Sequence, residues 1–250
     1  MENIFSHSLG KASQTIKGLA IYNASSEELG IALAKEALYY FVDKNSLLFI
    51  SGGKTPKKLY EILVNEKKLR AGAVAMVDER YGPIMHKDSN EKMIQDSGFI
   101  TYLKSMHIPF YPVLEKAKNR IGVARDYDST ITSLFKTYKK RIGLFGIGVD
   151  GHTAGIIPNR SDFKNPIFTD QNRKLVGEFN DKASSYKERI TITPLAIEKM
   201  DYCVLLTLGK EKKETLGKLF EDLSIETIPS RIFLRPSLVR KTILITDQVI

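Results

Sequence analysis

The 250-residue sequence has one cysteine, no tryptophan and no long apolar run. Cys203 has no partner for an internal disulfide and lies in the apolar run DYCVLLTL, where a thiol usually only packs. The chain contains no apolar stretch of about 18 residues, so we expect no membrane-spanning helix. The first residues, MENIFSHSLGKAS, lack the basic and apolar regions of a signal peptide. These absences predict a cytoplasmic protein without membrane contact.

The chain has no concentrated block of charge. It carries 38 Lys and Arg against 29 Asp and Glu, a formal net charge of +9, which could suit a nucleic-acid-binding protein. Basic and acidic residues are mixed, however, as in LGKEKKETLGKLFEDL, and no basic tail is present. We therefore expect no nucleic-acid partner. A cationic cleft that concentrates an anionic metabolite fits the same charge balance.

Short apolar runs alternate with segments of helical periodicity, which predicts alternating strands and helices. Because the predicted strands are apolar throughout, the sheet should be mainly parallel and covered on both faces. We predict an α/β fold, with one doubly wound, Rossmann-like domain over residues 1–250. The predicted strands are GLAIYNAS, SLLFIS, AVAMVD, IGLFGIG, RITIT, YCVLLTL and KTILIT.

The helical segments are predicted between these strands. The first should bury one face, formed by Leu29, Leu33, Ala37, Tyr40 and Phe41. The second, TPKKLYEILVNE, has a proline in its first turn, where the missing N–H costs little. A third runs from about residue 117 to residue 140, and a charged helix follows YCVLLTL.

The segment LFGIGVDGHTAGIIP places Asp150 and His152 after a predicted strand. GIGVDG formally matches a dinucleotide fingerprint, with Asp170 about 20 residues further on. The fingerprint needs a helix directly after the glycines, and Pro158 and Pro166 leave little room for one. We therefore expect no nucleotide cofactor at this loop.

Three other interpretations of the same loop concern its histidine. A metal site would need a third ligand, from a carboxylate or from His7, His86 or His107, and none has a recognised spacing. A serine-hydrolase elbow, G-x-S-x-G, is absent. A histidine beside a carboxylate on a tight turn is typical of an oriented general base. The alternative is a loop histidine with an aspartate that only shapes the turn.

Four polar loops follow predicted strands and should meet at one edge of the sheet, where open parallel sheets bind ligands. They are SGGKT, DER, GVDGH and GKEK. SGGKTP is not a Walker A loop, since Leu48 stands where that motif needs glycine. A glycine-rich turn before a helix can still bind phosphate through backbone N–H groups. The combination predicts a site for a small phosphorylated substrate.

From about Leu47 onward the sequence resembles the 6-phosphogluconolactonases, which share a superfamily with the glucosamine-6-phosphate deaminases. The resemblance is carried by five motifs in the family's order: SGGKTP, VDERY followed by Ser89 and Asn90, GIGVDGHTAGIIP, RITITP and GKEKK. It implies a Rossmann-related fold and hydrolysis of 6-phosphogluconolactone in the pentose phosphate pathway, without a metal or other cofactor.

The resemblance also implies roles for individual residues. It assigns His152 as the general base and Asp150 as its neighbour. The remaining positions should contact the substrate: Gly52, Gly53, Lys54, Thr55, Asp78, Arg80, Asn90, Arg189 and Lys212. Arg189 precedes its predicted strand, so it reaches the site only if that strand runs opposite to the others.

The sequence departs from the family pattern at two places, with Gly82 and Pro83 after DERY and with GIIP after the histidine. The deaminase branch carries a glutamate five residues after its histidine, where this chain has Ile157, and reads D-E-Y where this chain has Arg80. Lactone hydrolysis needs only one base and stabilisation of an oxyanion. We favour the lactonase over a deaminase. A non-catalytic sugar-phosphate sensor is the other alternative, although no helix-turn-helix precedes Gly18.

Overall fold

The computed structural model of the protein describes residues 5–115, 119–159, 172–180 and 188–250. The helices in these ranges are α1 (Ser6–Leu9), α2 (Glu27–Phe41), α3 (Lys54–Glu66), α4 (Asn90–Asp96), α5 (Phe99–Ser105), α6 (Arg120–Thr137), α7 (Pro194–Glu198) and α8 (Lys213–Phe220). The strands are β1 (Gln14–Ile16), β2 (Leu19–Asn23), β3 (Ser46–Ile50), β4 (Ala73–Met76), β5 (Asp78–Arg80), β6 (Phe110–Tyr111), β7 (Lys140–Phe145), β8 (Val176–Asn180), β9 (Glu188–Ile192), β10 (Tyr202–Leu206) and β11 (Thr242–Thr246).

Eight strands form one large sheet in the order β1-β2-β11-β10-β7-β3-β4-β6. Every pair in it is parallel except β1 with β2 at one edge. Along the chain, β3, β4 and β6 proceed toward one edge, whereas β7, β10 and β11 proceed toward the other. The direction of winding therefore reverses between β3 and β7. The predicted mainly parallel, doubly wound α/β fold is confirmed.

Helices pack on both faces of this sheet. The ring of Phe49 in β3 contacts Phe135 of α6, and the ring of Tyr202 in β10 contacts Phe41 of α2. Across β7, Tyr202 is level with Ile142, whereas Phe49 is level with the next residue. Because side chains alternate between faces along a strand, α6 and α2 lie on opposite sides of the sheet.

A second, three-stranded antiparallel sheet, in the order β5-β9-β8, was not predicted. The run AVAMVD was expected to form one strand, but it divides into β4 in the large sheet and the start of β5 in the small one. The predicted strand RITIT is β9, and it pairs antiparallel with β5 so that Arg189 is level with Arg80. Apolar runs predict that a strand forms, but they do not determine which other strand it pairs with.

The buried face of α2 also differs from the prediction. Leu29 and Tyr40 are exposed, and the buried residues are Gly30, Ile31, Ala34, Ala37, Leu38 and Phe41. Both sets follow helical spacing, so the periodicity alone did not fix the rotation of the helix. Contacts of α2 with α3, β10 and β11 determine which face of the helix is buried.

Nearly all buried hydrophobic residues of the described ranges form one core cluster that runs from Phe5 to Ile245. The single domain over residues 1–250 stays a prediction. No helix among the described residues is both long enough and apolar enough to span a bilayer.

Candidate active site

A cavity of about 280 Å³ opens where β3, β7 and β10 end, at the reversal of the sheet's winding. Three of the four predicted loops, SGGKT, GVDGH and GKEK, meet there, as expected from the position of ligand sites in doubly wound sheets. The fourth, DER, also reaches the cavity, but it forms strand β5 of the small sheet and is not a loop. Ten of the eleven predicted site residues line the cavity: Gly52, Gly53, Lys54, Thr55, Asp78, Arg80, Asn90, His152, Arg189 and Lys212. Asp150 is not part of the lining and instead contacts His152.

Asp150 and His152 form a hydrogen-bonded pair on the loop after β7. The Oδ1 atom of Asp150 lies 2.6 Å from Nδ1 of His152 and also accepts the backbone N–H of His152 at 3.1 Å. A carboxylate only accepts hydrogen bonds, so Nδ1 carries the proton in this pair. The other ring nitrogen, Nε2, is then the one that can accept a proton. The contact that sequence left unknown for Asp150 is therefore with the imidazole.

Tight turns in the loop after β7 set the position of this pair. Gly151 has a φ of +88°, a conformation that favours glycine. A Cβ atom on Gly148 would lie only 2.1 Å from Nδ1 of His152, so the ring can approach the backbone only because this residue is glycine. The N–H of Gly148 donates to the carbonyl of His152 at 2.9 Å, and the hydroxyl of Thr153 donates to the carbonyl of Gly146 at 3.0 Å.

The environment of the site shifts two pKa values. Burial raises the pKa of the Asp150 carboxyl, but its hydrogen bond and charge interaction with His152 outweigh burial and lower that pKa to about 2. Burial also lowers the pKa of the Lys212 ammonium, while the nearby carboxylates of Glu211 and Asp150 oppose that change. Asp150 is therefore ionised at neutral pH, and its carboxylate can accept the hydrogen bond from Nδ1 of His152.

The glycine-rich loop leads directly into α3. Gly53, with a φ of +121°, is the residue before the helix, and no side chain caps the N-terminus. The first N–H groups of a helix lack intrahelical partners and favour an anion. Pro56 lies in the first turn, as predicted. A Cβ on Gly52 would lie 2.1 Å from Oδ1 of Asn90, so this glycine lets the Asn90 side chain sit against the loop.

Buried polar residues from the small sheet form another wall of the cavity. Nη1 of Arg189 lies 3.4 Å from Oδ2 of Asp78, and both side chains are less than a tenth exposed. Arg189 lines the cavity from the start of β9, which belongs to the small sheet and runs antiparallel to its neighbour β5. Nη1 of Arg80 donates to the carbonyl of Asp88 at 2.7 Å.

The charge of the lining suits an anionic ligand. Among the described lining residues, four cationic side chains outnumber two carboxylates: Lys54, Arg80, Arg189 and Lys212 against Asp78 and Glu211. Sequence reasoning did not single out Glu211, Ser51 or Thr207, which also line the cavity. Ser51 and Glu211 belong to the motifs SGGKTP and GKEKK, which were the signal for them, whereas Thr207 lies at the end of the predicted strand YCVLLTL and had only that position as a signal.

The structure also bears on the metal and nucleotide interpretations. Among the described residues, no cluster of three or more His, Cys, Asp or Glu side chains could hold a metal ion. Nε2 of His86 instead lies 2.9 Å from the carbonyl oxygen of Arg80. No helix follows GIGVDG up to Asn159; residues 152–159 form turns and an isolated bridge between Thr153 and Ile156. Asp170 lies outside the described residues.

The sequence profile of the glucosamine-6-phosphate isomerases/6-phosphogluconolactonase family matches residues 26–243. The chain belongs to this family. Among curated relatives of the family, it is 28% identical over 200 residues to the 6-phosphogluconolactonase of Synechocystis, covering 75% of this chain and 76% of that one. It is 29% identical over 174 residues to the 6-phosphogluconolactonase of Xylella fastidiosa, covering 68% of this chain and 69% of that one.

Solved structures of the family share the fold. The 6-phosphogluconolactonase from Plasmodium vivax superposes with a TM-score of 0.77 at 18% identity, covering 93% of this chain and 92% of that one. The enzyme from Shewanella baltica superposes with a TM-score of 0.73 at 20% identity, covering 95% of this chain and 98% of that one. At these identities the superpositions establish the architecture.

Proposed function

We propose that the protein hydrolyses 6-phosphogluconolactone to 6-phosphogluconate, the pentose phosphate pathway reaction, without a metal and with His152 as general base. The 2.6 Å contact between Asp150 and His152, beside a cavity with four cationic side chains, is the observation that carries the proposal. Family membership and the names of the relatives support it. A cytoplasmic location and the absence of a nucleic-acid partner remain predictions.

In the proposed reaction, Nε2 of His152 takes a proton from a water molecule as the water oxygen attacks the lactone carbonyl. Asp150 holds the Nδ1 proton and stabilises the imidazolium that forms. Cationic groups and backbone N–H groups of the cavity stabilise the oxyanion. When the oxyanion collapses, the bond between the carbonyl carbon and the ring oxygen breaks. The imidazolium then returns its proton to that oxygen, which gives the acid and a free hydroxyl.

The other predicted residues would bind the substrate. Lys212 and Arg189 are proposed to hold the phosphate, because charge-assisted hydrogen bonds to a dianion are strong. The N-terminus of α3, with Gly52, Gly53, Lys54 and Thr55, offers further donors. Asp78, Arg80 and Asn90 are left for the sugar hydroxyls.

Glucosamine-6-phosphate deamination is the second candidate, since the family description includes such isomerases. The half-buried, apolar Ile157 stands where that branch carries an acidic group, and it packs against the hydrophobic core. Ring opening and isomerisation need proton transfers at several atoms, which this replacement does not support. A sugar-phosphate sensor would bind the same ligand without turnover.

A spectrophotometric assay with freshly generated 6-phosphogluconolactone tests the proposal directly. We expect hydrolysis above the spontaneous rate and no ammonia release from glucosamine 6-phosphate. Binding without turnover would favour the sensor. Activity should survive exhaustive dialysis against a chelator. Loss of activity that a divalent ion restores would contradict the metal-free mechanism.

A further inference from the structure

Glu79 is a fully buried carboxylic acid between two proposed substrate-binding residues of β5. Its Oε1 atom accepts the backbone N–H groups of Arg80 at 2.6 Å and Asn90 at 2.8 Å. Its Oε2 atom accepts the hydroxyl of Ser89 at 2.9 Å and the backbone N–H of Glu91 at 2.8 Å. One side chain therefore joins β5 to the N-terminus of α4.

All four partners of Glu79 donate. Three are backbone N–H groups, and the Ser89 oxygen already accepts the N–H of Lys92 at 3.1 Å, so its proton points to Glu79. A glutamine would turn an N–H₂ group toward donors and lose at least one bond. Burial raises the pKa of Glu79, whereas these hydrogen bonds oppose that shift. The arrangement suits an ionised carboxylate at neutral pH.

Two of the residues that donate to Glu79, Arg80 and Asn90, also line the cavity. Asn90 donates its side-chain N–H to the carbonyl of Asp78 at 3.1 Å, and its Oδ1 lies against Gly52. Asp78 in turn pairs with Arg189. The Glu79 carboxylate thus lies beneath the wall that carries Asp78, Arg80 and Asn90, and it does not line the cavity itself.

We propose that Glu79 is a positioning residue that sets the geometry of this substrate-binding wall through β5 and the first turn of α4. The proposal rests on the proposed function for its substrate. His152 and Asp150 lie on a different loop, after β7. Glu79 should therefore govern substrate affinity much more than the chemical step.

The test is Glu79→Gln, which preserves size and removes the charge. We expect KM for 6-phosphogluconolactone to rise about tenfold or more, since hydrogen bonds to a charged group are lost. The kcat should change much less. Calorimetric titration with 6-phosphogluconate should show a matching loss of affinity. Glu91→Gln is the matched control, because the Glu91 carboxylate is close by but has no hydrogen-bond partner on its buried Oε2 among the described residues.

A folded Glu79→Gln protein with wild-type KM and product affinity would overturn the proposal. Burial and the nearby charge of Glu79 raise the pKa of Glu91 to about 7, so the two variants are compared above about pH 8, where both carboxylates are ionised. An equal rise in KM for Glu91→Gln would also overturn the proposal, since any nearby loss of charge would then suffice. If the wild-type protein lacks lactonase activity, the proposed function fails. The affinities of the wild type and Glu79→Gln for 6-phosphogluconate then decide the role of Glu79 separately.

If Glu79→Gln does not fold, Ser89→Ala replaces it, because it removes only one of the four donors. Ser89 also caps α4, so Ser26→Ala, which removes the equivalent cap of α2, serves as its control. KM should rise for Ser89→Ala and stay at the wild-type value for Ser26→Ala. Equal KM values for both variants would overturn the proposal.

Discussion

The two sides of the cavity are built differently. On the loop after β7, the side chains of His152 and Asp150 are 36% and 44% exposed and are bonded mainly to each other. On the opposite side, Asp78, Glu79 and Asn90 are buried, with many hydrogen bonds to backbone groups of β5 and α4. One side can exchange protons with solvent, and the other holds its groups in place.

This contrast separates chemistry from recognition. A proton acceptor must reach water, so partial exposure suits His152. Groups that recognise a ligand gain from rigidity, and buried polar networks are rigid when every member is hydrogen-bonded. Changes on the loop after β7 should therefore lower kcat, whereas changes in the buried wall should raise KM or reduce stability.

His152→Ala should have the largest effect, because it removes the proposed base. General-base catalysis typically contributes about 10²–10⁴-fold, so we expect kcat to fall by that order with the melting temperature unchanged. The wild-type kcat/KM should fall toward acid pH, because a protonated base cannot accept a proton from water, and the variant should lack this limb. The spontaneous hydrolysis rate must be subtracted. A folded variant with near-normal kcat and the same limb would refute the assignment.

Lys212→Ala tests recognition with the next largest effect. We expect KM for the phosphorylated lactone to rise about 10- to 100-fold, with a much smaller change for gluconolactone without phosphate. Arg189→Ala should also raise KM, but it leaves the buried Asp78 carboxylate without this cation and should destabilise the fold by about 3 kcal/mol. Thermal unfolding distinguishes the two variants, because the melting temperature should fall for Arg189→Ala and not for Lys212→Ala. An equal rise in KM for both lactones would contradict the assignment of the substituted residue to the phosphate.

Gly52→Ala should have a smaller effect on the buried wall. The new methyl group would displace the Asn90 side chain, so we expect a loss of about 1–3 kcal/mol in the free energy of unfolding and a moderate rise in KM. Gly217→Ala in α8 is the control, since no atom lies within 4 Å of its added Cβ, and alanine favours a helix. Similar stability changes in the two variants would contradict the predicted clash.

Asp150→Asn should have a small, pH-dependent effect on stability. The pKa of Asp150, lowered to about 2, lies below the value of about 3.9 of an unfolded aspartate. The ionised carboxylate therefore adds stability above about pH 4, and this contribution disappears as pH falls toward about 2. Partial exposure keeps it small. The difference in melting temperature between wild type and variant should shrink below pH 4, and a constant difference between pH 5 and pH 3 would contradict the shift.

Six strands of the large sheet were predictable because each is a short apolar run bounded by polar turns, and β3, β7 and β10 are clear examples. The edge strands β1 and β6 were not predicted, because they are only three and two residues long and are not fully buried. The meeting of three polar loops, SGGKT, GVDGH and GKEK, at one edge followed from the parallel arrangement. The small sheet could not be predicted, because β5 is only three residues long and its partner β9 lies more than a hundred residues further along the chain. The burial of the Glu79 carboxylate could not be predicted either, because three of its four donors come from residues 89–91, and the sequence does not show that this segment packs against β5.

By itself the sequence determined the α/β class, the glycine-rich loops and the residue types that meet at the site. These depend on local properties: apolar runs, turn residues and the spacing of motifs. Only the tertiary structure decided that Asp150 accepts the Nδ1 proton of His152, that Arg189 pairs with Asp78, and that Glu79 joins β5 to α4. The contact between Arg189 and Asp78 joins residues far apart along the chain, and all three contacts depend on the path of the backbone and on side-chain orientations, which spacing does not encode.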